Sequence, residues 1–251
     1  MKHIKLFKTE AEYETRVTAL PCVSYVKSTE EVHFDEKHAV DRILNAPLMN
    51  MCVANGWAKE SNDYLTYDEA AIISTINTQD FATYEVVSAW ELKYFTGLTS
   101  INFNTVLVPT LKELYIPDTY TGAYEQAVII SNTHTAWAPN LVKLHIGDAV
   151  TLLSYGYAYL SSTREGFDNS IVYIGENVVK LGFPNPLFKI FKTAIIKGTA
   201  RVASDMNTLE LQKTTFFVED DQVEAFQALT PFTRSPSNVH ALSEYTGDTD
   251  Y

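Results

Sequence analysis

The sequence predicts an α/β chain: an irregular leucine-rich repeat solenoid with parallel short strands, preceded by a helical module and a small N-terminal β-rich unit. Three observations predict the solenoid. Five stretches fit the pattern LxxLxL, namely Leu98/Ile101/Phe103, Leu111/Leu114/Ile116, Leu141/Leu144/Ile146, Val178/Leu181/Phe183 and Met206/Leu209/Leu211, with a shortened copy at Val172/Ile174. The copies at 111 and 141 are 30 residues apart and those at 178 and 206 are 28 apart, which leaves room for one short strand and one variable crossing per turn. Pro117, Gly147 and Pro184 directly follow three of the copies. Alternation in L-x-L supplies the inward side chains of a parallel strand, and the earlier Leu fills the bend before it.

The remaining elements follow in chain order. In the N-terminal unit, 1–37, Ile4 and Leu6 alternate with polar neighbours, Thr9 is placed to cap a short helix over 10–17, and Pro21 ends it. Val23, Tyr25, Val32 and Phe34 alternate on both sides of a polar Ser28, Thr29, Glu30 turn, which predicts a hairpin. In the helical module, 38–95, Val40, Ile43, Leu44, Leu48, Met51 and Cys52 recur at three and four, with Pro47 marking a kink or the start of a second helix and Gly56 and Trp57 closing it. Residues 58–69 outline a calcium loop, with Leu65 at the hydrophobic eighth position and Glu69 at the twelfth. Ala58 and Asp63 stand where such a loop uses Asp and Gly, so the preferred reading is a solvated loop in which Thr66 caps the next helix and Glu69 closes a capping box. No metal and no cofactor is assigned. The repeat domain with its C-terminal cap spans 96–245, and 246–251 form a tail.

Composition removes several function classes. The 251 residues carry 31 acidic against 19 basic side chains, a net charge of -12, with no basic cluster for phosphate, so no nucleic-acid partner is expected. The same charge disfavours an anionic membrane or a polyanion as direct ligand. The longest stretch without Lys, Arg, Asp or Glu, 94–111, is interrupted by Thr, Ser, Asn, Gly and Pro, and no membrane insertion is expected. Lys2, Lys5, Lys8 and Glu10 break the apolar run that a signal peptide needs, so export by that route is not expected either. Cys22 and Cys52 form no metal or disulfide pattern. The ten glycines are never closer than seven apart, which excludes the dinucleotide turn, the phosphate loop and the nucleophile elbow. The six histidines form no pair at helical ligand spacing, and the chain is read as not an enzyme.

Tyr 15, Phe 13 and Trp 3 make 12% of the chain, more than a core of this size hides easily. The long crossings 118–140 and 148–169 carry Tyr120, Tyr124, Trp137, Tyr155, Tyr157 and Tyr159, which are therefore the candidate contacts for a ligand or partner. The alternative for each is a ring packed between turns.

Over roughly 45–245 the chain resembles the BspA-type leucine-rich repeats of gut Bacteroidales. Beyond the repeats, Cys52 to Trp57 followed by Leu65 to Ala71 looks like the family's helical module, Glu91 to Ile101 is similar to its approach to the first repeat, and Phe217 to Phe226 with Leu242 to Tyr245 look like its closing motifs. The crossings here are longer than that family's. The first 35 residues are similar to a small unit at the N-terminus of structural proteins of Bacteroides phages and prophages. The resemblance implies a non-enzymatic virion structural or attachment protein, made in the host cytoplasm. It would bind other virion proteins or a host-surface protein or glycan, as a homo-oligomer or part of a larger assembly. The alternative it implies is a bacterial surface or secreted adhesin.

Overall fold

The computed structural model describes residues 4–7, 23–26, 31–34, 46–58, 65, 67–102, 106–120, 127–129, 138–150, 152–154, 166–178, 191–199, 213–229 and 232–247. Near the N-terminus, β1 (Ile4–Phe7), β2 (Val23–Val26) and β3 (Glu31–Phe34) form a three-stranded sheet. Strands β2 and β3 pair antiparallel with Tyr25 opposite Val32, the hairpin that the alternation predicts, and β1 joins β2 in parallel. The expected helix over 10–17 lies outside the described residues.

Helix α1 (Ala46–Ala54) carries Pro47 in its first described turn, where a missing backbone N–H costs little, and the residues just before Ala46 lie outside the described residues. Leu48, Met51 and Cys52 on one side are buried. The helix closes on Gly56 at φ 73, with the Gly56 N–H donating to Val53 and the Trp57 N–H to Cys52, a left-handed cap that glycine alone enters without strain. The short helices α2 (Tyr67–Ala71) and α3 (Thr78–Thr83) follow, with β4 (Thr75–Asn77) between them. The predicted cap at Thr66 lies outside the described residues.

The body is a seven-stranded parallel sheet. Its strands are β5 (Ser88–Ala89), β7 (Glu113–Ile116), β9 (Lys143–Ile146), β11 (Ile171–Ile174), β12 (Thr193–Ile196), β13 (Thr215–Val218) and β14 (Val239–Ala241), in spatial order β14-β13-β12-β11-β9-β7-β5. Interleaved in sequence, β6 (Ser100–Asn102) pairs with β4, and β8 (Ala127–Ile129) pairs with β10 (Leu152–Ser154), both in parallel. Down the main sheet Ser88 faces Glu113, Glu113 faces Lys143, Lys143 faces Ile171, Ile171 faces Thr193 and Thr193 faces Thr215. Each strand thus meets the one 22 to 30 residues later in unshifted register, a separation that parallel pairing requires because the chain must cross back before it can pair again.

That register stacks like on like. Leu114, Leu144, Val172, Ala194, Phe216 and Val239 form one buried row, and Ile116, Ile146, Ile174, Ile196 and Val218 a second. Two strand positions apart, both rows point to the same side. Leu111, Leu141 and Phe191 fill the bend before three strands, and Tyr120, Val150 and Val178 fill the same place four residues beyond three strands. The turns themselves stack. A Cβ on Gly147 would overlap the Pro117 carbonyl, and one on Gly175 would lie 2.6 Å from the Gly147 carbonyl oxygen, so the close approach of consecutive turns demands glycine. Carboxylates tie turn to turn: Asp118 accepts from the Asp148 N–H at 3.3 Å, and Asp148 from the Glu176 N–H at 2.9 Å. Toward the C-terminus, helix α4 (Val223–Ala228) and the turn after it bring Phe232 onto Phe216 and Phe226 onto Phe232.

Two repeat assignments are corrected by this sheet. The copy at Leu98 places β6 in a separate two-stranded sheet, so Ile101 is not part of the main ladder. The supposed fragment at Val172/Ile174 is the full strand β11. Val178 is buried four residues beyond β11, while Leu181 and Phe183 of its copy and the whole copy at Met206/Leu209/Leu211 lie outside the described residues. Strand β12 was missed because Phe191, Ala194 and Ile196 fill the three apolar places with residues a leucine pattern does not score. Among the described residues the fold is accordingly α/β, with a mostly parallel seven-stranded sheet and few helices.

Candidate functional site

Because alternate strand residues face opposite sides, the side of the sheet away from the two apolar rows is also dictated residue by residue. Glu113, Lys143, Ile171, Thr193 and Thr215 form its first row; Tyr115, His145, Tyr173, Ile195, Phe217 and His240 form its second. The second row is a ladder of rings interrupted by Ile195. Tyr115 and His145 stack at 3.8 Å and 4°, Tyr173 lies 6.3 Å beyond His145, and Phe217 lies 5.6 Å from His240.

Trp90 joins this face from the 3-10 turn Trp90–Tyr94 that follows β5. It meets Tyr115 edge-on at 5.1 Å and lies 6.3 Å from both His145 and Tyr173. The Lys143 ammonium sits 4.0 Å from its ring centre, a cation held against an electron-rich face. Packing buries the middle of the ladder: Tyr115 is 6% exposed, His145 4% and Tyr173 2%. Further along, Tyr245 is half-buried and packs against Phe217 at 5.0 Å.

Polar groups orient the rings. Asp118, one turn earlier, accepts from His145 Nε2 at 3.0 Å. That hydrogen bond outweighs partial burial and holds the Asp118 carboxyl below the usual carboxylate range. His145 Nδ1 and Trp90 Nε1 are both buried without a hydrogen-bond partner among the described residues. At the N-terminal end of the same face a cleft of about 300 Å³ opens, with Glu113 and Thr193 at its sides, Ile171 and Tyr173 between them, and Asp168 and Tyr245 at its rim.

Of the six aromatic residues expected at contacts, Tyr124, Trp137, Tyr155, Tyr157 and Tyr159 lie outside the described residues. Tyr120 is 2% exposed, and its hydroxyl accepts from the Ile101 N–H at 3.2 Å. Burial pushes its phenol up. The structure therefore places Tyr120 in the core, at the turn position that Val150 and Val178 occupy in later turns, rather than on a contact surface. The calcium-like loop 58–69 is described only at Ala58, Leu65 and 67–69, and among the described residues no group of three His, Cys, Asp or Glu side chains converges to hold a metal.

The ring ladder had a signal that a search for leucines passes over. Tyr115 and His145 are the middle residues of L-x-L in two matched copies, and Tyr173 is the middle residue of the fragment. No protein-family model matches the chain, and no curated protein matches it.

Proposed function

We propose that the chain is a non-enzymatic recognition and assembly protein, a BspA-type leucine-rich repeat coil serving as a structural or attachment component of a Bacteroides-type phage particle. What supports this reading is one observation: of six successive strands, five carry a ring at one register position, from Tyr115 to His240, with Ile195 on the sixth. Strands in a sheet are spaced by about 4.8 Å, so the half-buried row beside the rings, from Glu113 to Thr215, offers groups at fixed intervals over a rigid support. A rigid face binds an extended partner without a large ordering cost. In this reading the N-terminal three-stranded unit docks the chain to another virion protein. Tyr124, Trp137, Tyr155, Tyr157 and Tyr159 supply further contacts from the crossings.

The test is quantitative mass spectrometry of gradient-purified particles alongside envelope fractions of the producing cell. The expected result is the chain in the particles at a fixed ratio to the other particle proteins. Recovery in the cell envelope, with none in particles, would overturn the virion reading in favour of a surface adhesin.

A further inference from the structure

We propose that the cleft at the N-terminal ends of β9, β11 and β12 binds a single neutral pyranose ring, as the terminal sugar of a glycan. The inference deepens the recognition reading and rests on it. The cleft's volume of about 300 Å³ stands at the small end of the range for ligand sites, roughly 300–1,000 Å³, which suits one ring rather than a bound chain.

The chemistry around it is that of a polyol with one apolar face. Each sugar hydroxyl both donates and accepts, so its partner surface must offer both roles. Asp168 offers acceptors, and the Asn169 amide and the Thr193 hydroxyl offer donor and acceptor together. None of these three side chains has a hydrogen-bond partner among the described residues. Beside them, Ile171 and the half-buried Tyr245 ring give an apolar wall against which the C–H face of a pyranose can lie. Anionic sugars are disfavoured, because two carboxylates, Glu113 and Asp168, line the cleft against one ammonium, that of Lys143, which is drawn over Trp90 at 4.0 Å.

The support is rigid where the chemistry needs it. Asp168 and Asn169 belong to the 3-10 turn Phe167–Asn169, which starts at Gly166 with φ 79. The buried Ser170 hydroxyl locks that turn, donating to the Phe167 carbonyl and accepting from the Lys192 N–H at 2.9 Å. Glu113 is pinned by the Ser88 hydroxyl at 2.6 Å. Thr193 and Ile171 are direct register partners on neighbouring strands. Tyr245 is set by its contact with Phe217, and the chain passes so close over its hydroxyl that residue 247 is a glycine whose Cβ would overlap it. The backbone that carries these groups keeps one geometry before any ligand arrives, which lowers the cost of binding.

Saturation-transfer NMR on the full chain with the methyl glycosides of glucose, galactose, mannose and N-acetylglucosamine tests the proposal, with sialic acid as the anionic control. At least one neutral glycoside is expected to receive saturation, and sialic acid none. Asn169→Ala and Thr193→Val each remove a polar partner from the cleft and are expected to weaken binding by about tenfold, the factor that corresponds to ~1.4 kcal/mol, with the unfolding midpoint unchanged. Tyr245→Ala is expected to weaken it further. No transfer to any of the four glycosides, or transfer that both polar variants leave intact, would overturn the proposal. Absence of sugar binding in a chain recovered from particles would remove the cleft assignment alone. Sugar binding by a chain absent from particles would remove the virion reading alone.

Discussion

Replacing Phe216 by Ala is expected to lower the unfolding free energy by about 3–5 kcal/mol, the range for emptying a buried aromatic site. Phe216 is fully buried, and its ring meets Phe232 at 4.9 Å, edge to face. Its register partners on either side are Ala194 and Val239, both small, so Phe216 supplies most of the volume at that level of the row. The space left behind cannot collapse easily. Strand β13 is held in the ladder by β12 and β14, and Phe232 is braced from behind by Phe226 at 6.0 Å. Urea unfolding followed by circular dichroism measures the loss. Thr215→Ala, on the other face of the same strand, is the control and is expected to change stability by no more than about 0.5 kcal/mol.

The second large effect is expected at Gly147. Its backbone lies against the preceding turn so closely that an added methyl would overlap the Pro117 carbonyl and come within 2.6 Å of the Asp118 nitrogen. All of these are backbone atoms, and no rotamer change relieves them. Two turns would have to separate, straining the Asp148 N–H bond to Asp118 and the Ala149 N–H bond to the Asp118 carbonyl. Gly147→Ala is therefore expected to destabilise by about 1–3 kcal/mol, as forced overpacking does, even though alanine is the smallest possible addition. Thermal unfolding monitored by circular dichroism reads this as a lowered midpoint. Gly56→Ala makes the comparison informative, because nothing lies within 4 Å of a Cβ there and its cost is confined to the left-handed backbone at φ 73.

How far the fold was legible in the sequence depended on which physical signal each element carried. The hairpin of β2 and β3, the helix that carries Pro47 and the strands β7 and β9 announce themselves through alternation, proline and repeated leucines. Strand β12 does not, because Ala194 stands where its neighbours have Leu or Val, and the missing volume is supplied by Phe216 on the next strand. A row of a stacked sheet is filled jointly, so a pattern applied strand by strand misses such exchanges. The two residues of β5 carry no pattern at all, and only pairing with β7 defines them.

The candidate site was legible in one half. Tyr115, His145 and Tyr173 recur at one place in the repeat, and parallel in-register stacking turns that recurrence into a ladder. Trp90 was not legible, because it reaches the ladder from a turn whose position depends on the folded sheet. Tyr120 was misread for a related reason. As an aromatic residue on a variable crossing it suggested a contact, whereas its equivalence with Val150 and Val178 emerges only when the turns are superimposed through the strand register.

The register is what the whole account stands on, and an electron-spin distance between labels on Glu113→Cys and Thr215→Cys tests it directly. These residues belong to one row, four ladder steps apart through Lys143, Ile171 and Thr193. Cys22→Ser removes one native thiol from the labelling. Cys52 stays in place, since it is buried and burial, reinforced by Glu91, pushes its thiol up to about 12, out of reach of the reagent. At about 4.8 Å per step the account expects a narrow distribution centred near 20 Å. A broad distribution, or one centred beyond about 30 Å, would contradict the in-register ladder and with it the ring face and the cleft built upon it.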